Sequence, residues 1–423
     1  MYSLGIDFGT SGARAIVIDG SCEHASTVAC TSYRFSDAKE TASPIVWEQV
    51  LWRLVEAIAP QIRTHINRIA INGTSATMLL CDGSGQPITK ALMYNDAITR
   101  PILPILSTVA PSNSPALSAT STLAKAMWLH HNETYSRQVH IAHQSDWIAS
   151  RLHGQLPVSD YHNALKLGYD VESLTYPDWL LGLPIVGWLP EVLEPGSVIA
   201  PIRPELANRF DLPLACQICA GTTDSIAAFL ASGARQIGDA VTSLGSTLVL
   251  KLLSPVAVSD QSFGIYSHRL GDLWLVGGAS NTGGAVLKQY FSVEQIAELS
   301  AQIDLSKPCE LAYYPLTQPG ERFPINDPDY LPRLAPRPDE DADFLYGIFD
   351  AIARIESEGY QKLRRLGAPK VCQVYTAGGG AQNQTWQTIR QRKLGVRVVE
   401  AQQSEAAYGT AKLALRGLSD FAA

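Results

Sequence analysis

Two similar hairpins stand out in the pattern of apolar and polar positions along the chain. The apolar run Leu4–Phe8, the polar turn Gly9-Thr10-Ser11-Gly12 and the apolar run Ala15–Ile18 predict two strands joined by a tight turn. The segment Gln236–Leu252 repeats this design around Gly245-Ser246-Thr247. Each hairpin opens about one half of the chain, so the repeat predicts two duplicated domains that hold a phosphate between them.

Apolar, strand-like runs alternate with helix-like segments along the rest of the chain. Amphipathic helices are predicted at 344–366 and 405–417. Three strand-like runs each lead into a loop of small polar residues: Arg68–Asn72 before Gly73–Thr77, Ala215–Ala220 before Gly221–Ser225, and Val371–Thr376 before Gly378–Asn383. This alternation is typical of α/β domains, which bind ligands where their strands end.

The first turn contains the residue types of a phosphate cradle. Gly9 and Gly12 let the backbone adopt positive φ angles and let a ligand approach closely, while Thr10 and Ser11 add hydroxyl groups to the exposed amides. Asp7 would repel a phosphate directly, so we expect it to hold Mg²⁺ through water and to help orient an acceptor group. Taken alone, the stretch also fits an ordinary glycine-rich hairpin with an incidental aspartate.

The phosphate-binding prediction covers both turns. It comprises Gly9, Thr10, Ser11 and Arg14 in the first hairpin and Gly245, Ser246 and Thr247 in the second. Neither turn matches the Walker pattern or the dinucleotide-binding pattern. A plain hairpin also accounts for the second copy, so it is the occurrence of two such turns that favours a nucleotide site.

Two polar loops that follow buried strands are candidate substrate sites. Asp224 lies between the end of the strand Ala215–Ala220 and the start of a helix, at the switch region of an α/β domain. The same position also suits a helix N-cap. Hydroxyl groups cluster in Gly73–Thr77 at another strand end, and Ser75 is the predicted contact, with a turn-only role as the alternative.

A third polar loop has the composition of a nucleotide site. Gly378, Gly379 and Gly380 follow a strand, where their bare backbone can lie against a flat base and ribose. The helix beyond them directs its N-terminus towards phosphate. Asn383 and Trp386 are the side chains best placed to meet the adenine. One glycine-rich loop is weak evidence, but it gains weight from the two hairpins.

Composition and charge narrow the class of protein. The 423 residues predict two or three domains, and 46% hydrophobic with 17% charged residues is a globular composition. A net charge of −7 without a Lys/Arg block argues against nucleic acid or an anionic membrane as a partner. The early first strand, the lack of a membrane-spanning apolar run and seven scattered cysteines predict a cytoplasmic location. The plastid stroma, with a transit segment removed, stays open.

The two hairpins, together with Gly221–Ser225 and Gly378–Trp386, resemble the FGGY family of carbohydrate kinases. The motifs occur in the family's order and spacing, from Ser3 to about Leu415, and the length is similar to a short branch found in cyanobacteria and plants. The resemblance implies an α/β fold of two ribonuclease-H-like domains, within the actin, sugar kinase and heat-shock-protein superfold, with a cleft between them. It implies a sugar-side domain at 1–230 plus 405–423 and a nucleotide-side domain at 231–404.

The resemblance also implies an activity and roles for these residues. The protein would transfer the γ-phosphate of ATP, with Mg²⁺, to a primary hydroxyl of a ketopentose, with D-ribulose as the first expectation and D-xylulose as the alternative. Asp224 would be the catalytic base, Asp7 a second catalytic residue that contacts sugar and metal, and Ser75 a further sugar contact. Sugar and ATP would be the partners of a monomer or homodimer, with Gly378, Gly379, Gly380, Asn383 and Trp386 at the nucleotide.

The chain departs from the family pattern near one predicted sugar loop. The family usually has Trp where Tyr94 stands and a different sequence after Asp96, so sugar contact by Asn95 or Asp96 competes with a simple Asx turn. Asp160 and Asn163, in another family segment, either shape the sugar pocket or cap a helix. An actin-like or chaperone ATPase and a non-catalytic sensor of sugar and ATP are the alternatives from other classes.

Overall fold

The computed structural model describes residues 1–21, 25–135 and 138–421. They form two compact units, of which the first contains Met1–Ala231 and the segment from Glu405 onward, and the second contains Ser232–Ser404. No described helix is both long enough and apolar enough to cross a bilayer.

In its described residues, the first unit contains eleven strands and ten α-helices before the chain enters the second unit. The strands are β1 Tyr2–Phe8, β2 Gly12–Asp19, β3 Ser26–Arg34, β4 Ile66–Gly73, β5 Met78–Asp82, β6 Val139–His143, β7 Val158–Asp160, β8 Glu191–Leu193, β9 Val198–Pro201, β10 Gln217–Cys219 and β11 Thr222–Thr223. The helices are α1 Ala38–Thr41, α2 Pro44–Glu56, α3 Pro60–Arg63, α4 Leu103–Leu106, α5 Thr122–Asn132, α6 Gln144–His153, α7 Tyr161–Ala164, α8 Asp178–Leu181, α9 Pro204–Phe210 and α10 Asp224–Ala231.

The second unit has six strands and four helices in its described residues. The strands are β12 Asp239–Leu244, β13 Leu248–Ser254, β14 Tyr266–Leu270, β15 Leu273–Ser280, β16 Gln373–Ala377 and β17 Arg397–Glu400. The helices are α11 Gly284–Leu287, α12 Val293–Gln302, α13 Asp341–Arg365 and α14 Gln384–Leu394. The chain then enters α15 Ala406–Arg416, which belongs to the first unit.

Each unit has its own sheet, and the two sheets have a similar strand order. In the first, the order is β3-β2-β1-β4-β10-β9, with β11 also pairing with β4; β1 to β3 are antiparallel, and β4 runs parallel to β1 and to β10. In the second, the order β14-β15-β13-β12-β16-β17 repeats this pattern, because β12 is antiparallel to β13 and parallel to β16. This duplicated order is the ribonuclease-H-like sheet, so the predicted α/β fold class is confirmed.

Each sheet is stabilised by its own apolar core. Leu4, Ile6 and Phe8 of β1 are fully buried. The hydrophobic effect therefore stabilises β1 in the interior of the first unit. Trp47 and Trp147 meet edge to face in the same core, with ring centroids 6.3 Å apart. The core of the second unit is assembled around α13, whose apolar face is buried along most of its length.

A close backbone approach holds α15 in the first unit. A Cβ atom at Gly5 would lie 2.1 Å from the carbonyl oxygen of Ala407 and 2.2 Å from the backbone nitrogen of Ala411, so only glycine lets the helix lie on β1. Gly409 of α15 approaches the Ala227 carbonyl of α10 in the same way. These contacts bring the start of α15, including Glu405, to the strand that carries Asp7.

Candidate active site

The predicted residues of the first unit meet at one edge of its sheet. In the parallel register, Asp7 of β1 lies beside Asn72 of β4, and Asn72 lies beside Thr222 of β11. The loops that follow these strands contain Gly9–Gly12, Gly73–Thr77 and Asp224. Because parallel strands end at the same edge, the topology brings together residues that are more than 200 positions apart in sequence.

Asp7 is the most strongly perturbed carboxyl group at this edge. Its burial and the nearby charges of Asp224 and Glu405 raise its pKa to about 7, while Arg14 acts in the opposite direction. Its Oδ1 atom is buried and has no hydrogen-bond partner among the described residues. A cation or a donated hydroxyl proton would satisfy this oxygen, so the observation fits a binding role for Asp7.

The residues around Asp7 fit a magnesium ion only if water and phosphate supply most of its ligands. Within the described ranges, no group of three or more His, Cys, Asp or Glu side chains converges as a metal site. Mg²⁺ requires about six oxygen ligands and keeps several of its waters. Most of its ligands would therefore be waters and phosphate oxygens, with Asp7 as the protein's carboxylate nearby.

The turn after β1 is exposed and closed by its own backbone. The amide of Gly9 donates to the carbonyl of Gly12 across 2.9 Å, and Thr10 and Ser11 are exposed. Arg14, which was predicted to bind phosphate, forms an ion pair with Glu405. Its guanidinium therefore balances the acidic group around Asp7, and any phosphate contact would have to compete with Glu405.

The loop after β4 presents one of its residues and buries the others. Thr74 donates from its amide and its hydroxyl to Oε1 of Gln144, at 3.0 and 3.1 Å, and its hydroxyl also lies 2.6 Å from that of Thr77. Ala76 adopts a positive φ of 66°, a conformation that is rare for a residue with a Cβ atom. Ser75 is the residue of Gly73–Thr77 that is not buried, as its predicted sugar contact requires.

Asp224 is the first residue of α10. Its Oδ1 accepts a hydrogen bond of 2.7 Å from the amide of Ser225, and its side chain is partly exposed. A carboxylate at a helix N-terminus is stabilised by the helix dipole. The carboxylate is therefore partly accessible to a substrate hydroxyl, which a general base requires.

Asp160 and Asn163 were expected either to shape the sugar pocket or to cap a helix, and their burial and hydrogen bonds show the cap. Asp160 caps α7 by accepting from the amides of His162 and Asn163, and Asn163 donates to Ser145 and back to Asp160. Both residues are fully buried, and burial together with the charge of Asp146 raises the pKa of Asp160 to about 8. In this structure they act as a cap and as internal support for the loops.

In the second unit, the predicted phosphate turn and the glycine loop are in contact. The carbonyls of Gly245 and Ser246 accept from the amides of Gly284 and Ala285 at the start of α11, which holds the turn in place. Gly378, at φ 87°, lies against the end of β12, where a Cβ atom would meet the Leu244 carbonyl at 2.7 Å.

In the glycine loop Gly378–Gly380, part of the backbone is exposed beside the turn Gly245–Thr247. A Cβ atom at Gly380 would meet Leu244 at 2.9 Å, whereas one at Gly379 would meet nothing within 4 Å. Gly378 and Gly379 are both exposed. The two motifs therefore form one continuous surface of small residues within this unit.

The Asn383 and Trp386 side chains, predicted to meet the adenine, both have partners within the second unit. The Trp386 ring is 2% exposed and stacks on Phe349, with centroids 4.5 Å apart and planes 7° from parallel. The Asn383 side chain caps α14 by accepting from the amide of Trp386 and donates to Ser300. Burial of the indole contributes free energy that an exposed ring would not, so α14 directs the Trp386 ring into the core of this unit.

Sequence reasoning missed three residues that shape these sites. Glu405 reaches Asp7 and Arg14 only because α15 packs on β1, and nothing in its local sequence signals this. Gln144 orders the loop after β4 from the start of α6. Lys125 is fully buried in α5; the available signal was a single lysine within the apolar run Leu123–Met127.

Two ribonuclease-H-like units, one with an acidic sheet edge and one with the predicted phosphate turn beside a glycine loop, are typical of the nucleotide-dependent proteins of the sugar kinase superfold. The chain belongs to the FGGY family of carbohydrate kinases: the model of the family's N-terminal domain matches residues 2–231, and that of its C-terminal domain matches residues 225–418. The protein is accordingly an ATP-dependent sugar kinase that uses ATP and Mg²⁺.

Individual relatives are distant but cover nearly the whole chain. The chain is 24% identical to a xylulose kinase of Bacillus subtilis strain 168, over 98% of this chain and 88% of that protein. It resembles the crystal structure of a xyloylose kinase from Brucella ovis with a TM-score of 0.85 at 20% identity, covering 99% and 91% of the two chains. It resembles Plasmodium falciparum glycerol kinase with ADP with a TM-score of 0.83 at 15% identity, covering 100% and 90%.

Proposed function

We propose that this kinase phosphorylates a primary hydroxyl of a ketopentose. The observation that carries the proposal is the acidic pair Asp7 and Asp224, which lie in β1 and directly after β11, the two strands that flank β4, at one sheet edge with the partly exposed Ser75. A small polyol needs several fixed polar partners, and these three side chains provide them within one unit.

The chemistry follows from the two carboxyl groups having different environments. Asp224 takes the proton from the sugar hydroxyl as that oxygen bonds to the γ-phosphorus, while the bond from phosphorus to the bridging oxygen of ADP breaks. Asp7 would orient the hydroxyl and would hold Mg²⁺ through water. Mg²⁺, when bound, neutralises charge on the transferring phosphoryl group.

The second unit is proposed to bind the nucleotide. The amides and hydroxyls of Gly245, Ser246 and Thr247 would hold phosphate, and the open backbone at Gly378–Gly380 would support the adenosine. The support for this assignment is the contact between the turn and the glycine loop, which brings both predicted parts into one surface. In the first unit, Gly9, Thr10 and Ser11 would bind the phosphoryl group that is transferred.

The identity of the sugar rests on two lines of support. The curated relatives are xylulose kinases, which favours a ketopentose and makes D-xylulose a strong candidate. The resemblance to the short branch of the family makes D-ribulose the first expectation, and the departure from the family pattern around Tyr94–Asp96 leaves the sugar contacts there open. The two sugars differ at a single stereocentre.

A coupled assay for ADP release over a panel of ketoses and polyols tests the proposal. We expect D-ribulose or D-xylulose to give the highest kcat/KM, and ³¹P NMR of the product to show a primary phosphate ester. Preference for a hexose or for glycerol would contradict the ketopentose assignment. Binding of sugar and ATP without ADP release would instead indicate the non-catalytic sensor.

A further inference from the structure

The side chain of Lys125 is a buried cation that joins two loops of the first unit. Lys125 lies in α5 with no exposed surface, and its Nζ donates to the carbonyl of Ala76 at 2.8 Å and to the carbonyl of Met93 at 2.6 Å. It forms no ion pair with any carboxylate of the described residues. Its charge is therefore stabilised chiefly by two peptide dipoles from separate loops.

Burying an ammonium group costs free energy, so its presence in the core needs a structural or functional reason. The effective penalty for burying an ion is several kcal/mol, and an apolar side chain such as Met would fill the same volume without it. The neighbours Leu123, Ala124 and Ala126 in α5 are apolar and fully buried. What the ammonium adds is a set of donors that reaches both carbonyls at once.

One carbonyl belongs to the residue that follows the predicted sugar contact Ser75, and the other to a residue two positions before Asn95. Ala76 follows Ser75 and has a positive φ of 66°, a conformation that tertiary contacts must hold in place. Met93 precedes Tyr94, and its amide donates to Asp96 Oδ2 at 2.7 Å. The amide of Tyr94 in turn donates to the Thr77 hydroxyl at 2.9 Å, which ties the two loops together directly.

We propose that Lys125 is the positioning residue of the sugar site: it fixes loop 73–77 relative to segment 93–96 and so sets the affinity for the sugar. This inference rests on the proposed function, because it assigns sugar contacts to those two loops. Lys125 itself touches neither sugar nor ATP in this scheme.

The protonation of Lys125 gives the proposal a second observable. Burial lowers the pKa of Lys125 to about 8, with Asp96 opposing this shift and Lys166 adding to it. Charge-assisted hydrogen bonds are about twice as strong as neutral ones. The bonds to Ala76 and Met93 are therefore strongest below pH 8 and weaken as the pH rises above it.

Lys125→Met, which keeps the length of the side chain and removes the donors, tests the positioning role. We expect the KM for the ketopentose to rise by about tenfold, which corresponds to roughly 1.4 kcal/mol, while kcat and the KM for ATP change by less than about twofold. Lys90→Met is the matched control, because Lys90 is exposed in the same region. An unchanged sugar KM, or equal effects on sugar and ATP, would overturn the proposal.

Two further measurements test the proposal: the first uses the wild-type protein and does not depend on the folding of Lys125→Met, and the second does not depend on the identity of the sugar. In the wild-type protein the sugar KM should rise between pH 7 and 9 while the ATP KM stays level, and a flat sugar profile overturns the proposal. Hydrogen exchange should accelerate at the amides of 74–77 and 93–96 in Lys125→Met, with or without substrate. If these amides do not respond, the positioning role fails; if no ketopentose is phosphorylated while they do respond, only the proposed function fails.

Discussion

Burial and the charge of Asp224 together hold the pKa of Asp7 at about 7. The two residues are 217 positions apart in sequence and meet because β1, β4 and β11 are neighbours in one sheet. A carboxyl group that titrates near neutral pH is poised between holding a cation and sharing a proton. The relationship between Asp7 and Asp224 is therefore the feature from which the chemistry and its pH dependence follow.

Asp7→Asn should stabilise the ligand-free protein at high pH while abolishing activity. The pKa of Asp7 is raised on folding, so ionisation opposes folding, and the contribution of Asp7 to stability falls as the pH rises from about 4 to 7. The Tm of Asp7→Asn should exceed that of the wild type at pH 8 by more than at pH 5. Asp19→Asn is the control, because the pKa of exposed Asp19 is lowered by its bonds to Ser21. A Tm gain at pH 8 in both variants would refute the assignment.

Asp224→Asn should reduce kcat by about 10²–10⁴ because the general base is lost, while ATP affinity stays nearly unchanged. Asp178→Asn is a matched control, since Asp178 is also the first residue of a helix, α8, and is exposed. Steady-state kinetics and calorimetric titration with ATP provide the comparison. Retention of more than about a tenth of kcat would remove Asp224 from this role.

Trp386→Ala should destabilise the second unit by about 3–5 kcal/mol, because it removes a fully packed ring from the core. Trp274→Ala, at a partly exposed tryptophan of the same unit, should cause a smaller loss. Chemical denaturation measures the loss of stability in both variants. The ATP KM of the folded variants then distinguishes a core-packing role of Trp386 from a direct contact with adenine. A raised ATP KM with unchanged stability would restore the direct adenine contact that the sequence predicted.

Glu356→Gln should destabilise the protein by about 3–5 kcal/mol, because it leaves the buried Arg390 charge uncompensated. Arg390 donates to both carboxylate oxygens of Glu356 at 2.7 Å, and neither side chain is more than 1% exposed. The control is Glu358→Gln, which removes the partly exposed pair with Arg354 on the same helix and should change stability by less than about 1 kcal/mol. Equal losses in the two variants would contradict the burial argument.

The parts of this protein that depend on local sequence were predictable. Turn chemistry identified both hairpins, and the observed β1 and β12 match the predicted strands closely. Periodicity located α13, which is predicted at 344–366 and observed at Asp341–Arg365. The order of the short motifs identified the family, because each motif is a local feature and the spacing between motifs is read directly from the chain.

Tertiary structure decided which side chains meet and which way each one points. Glu405 reaches Asp7 through the packing of α15 on Gly5, Lys125 is buried beneath loops formed by residues 30 to 50 positions away, and Trp386 turns inward onto Phe349. Periodicity cannot reveal these facts, because burial and charge coupling depend on strand order and helix packing. The sequence therefore determined the two hairpins and the class of enzyme, whereas the fold determined the electrostatics of the site, since Coulomb interactions depend on distance in space rather than along the chain.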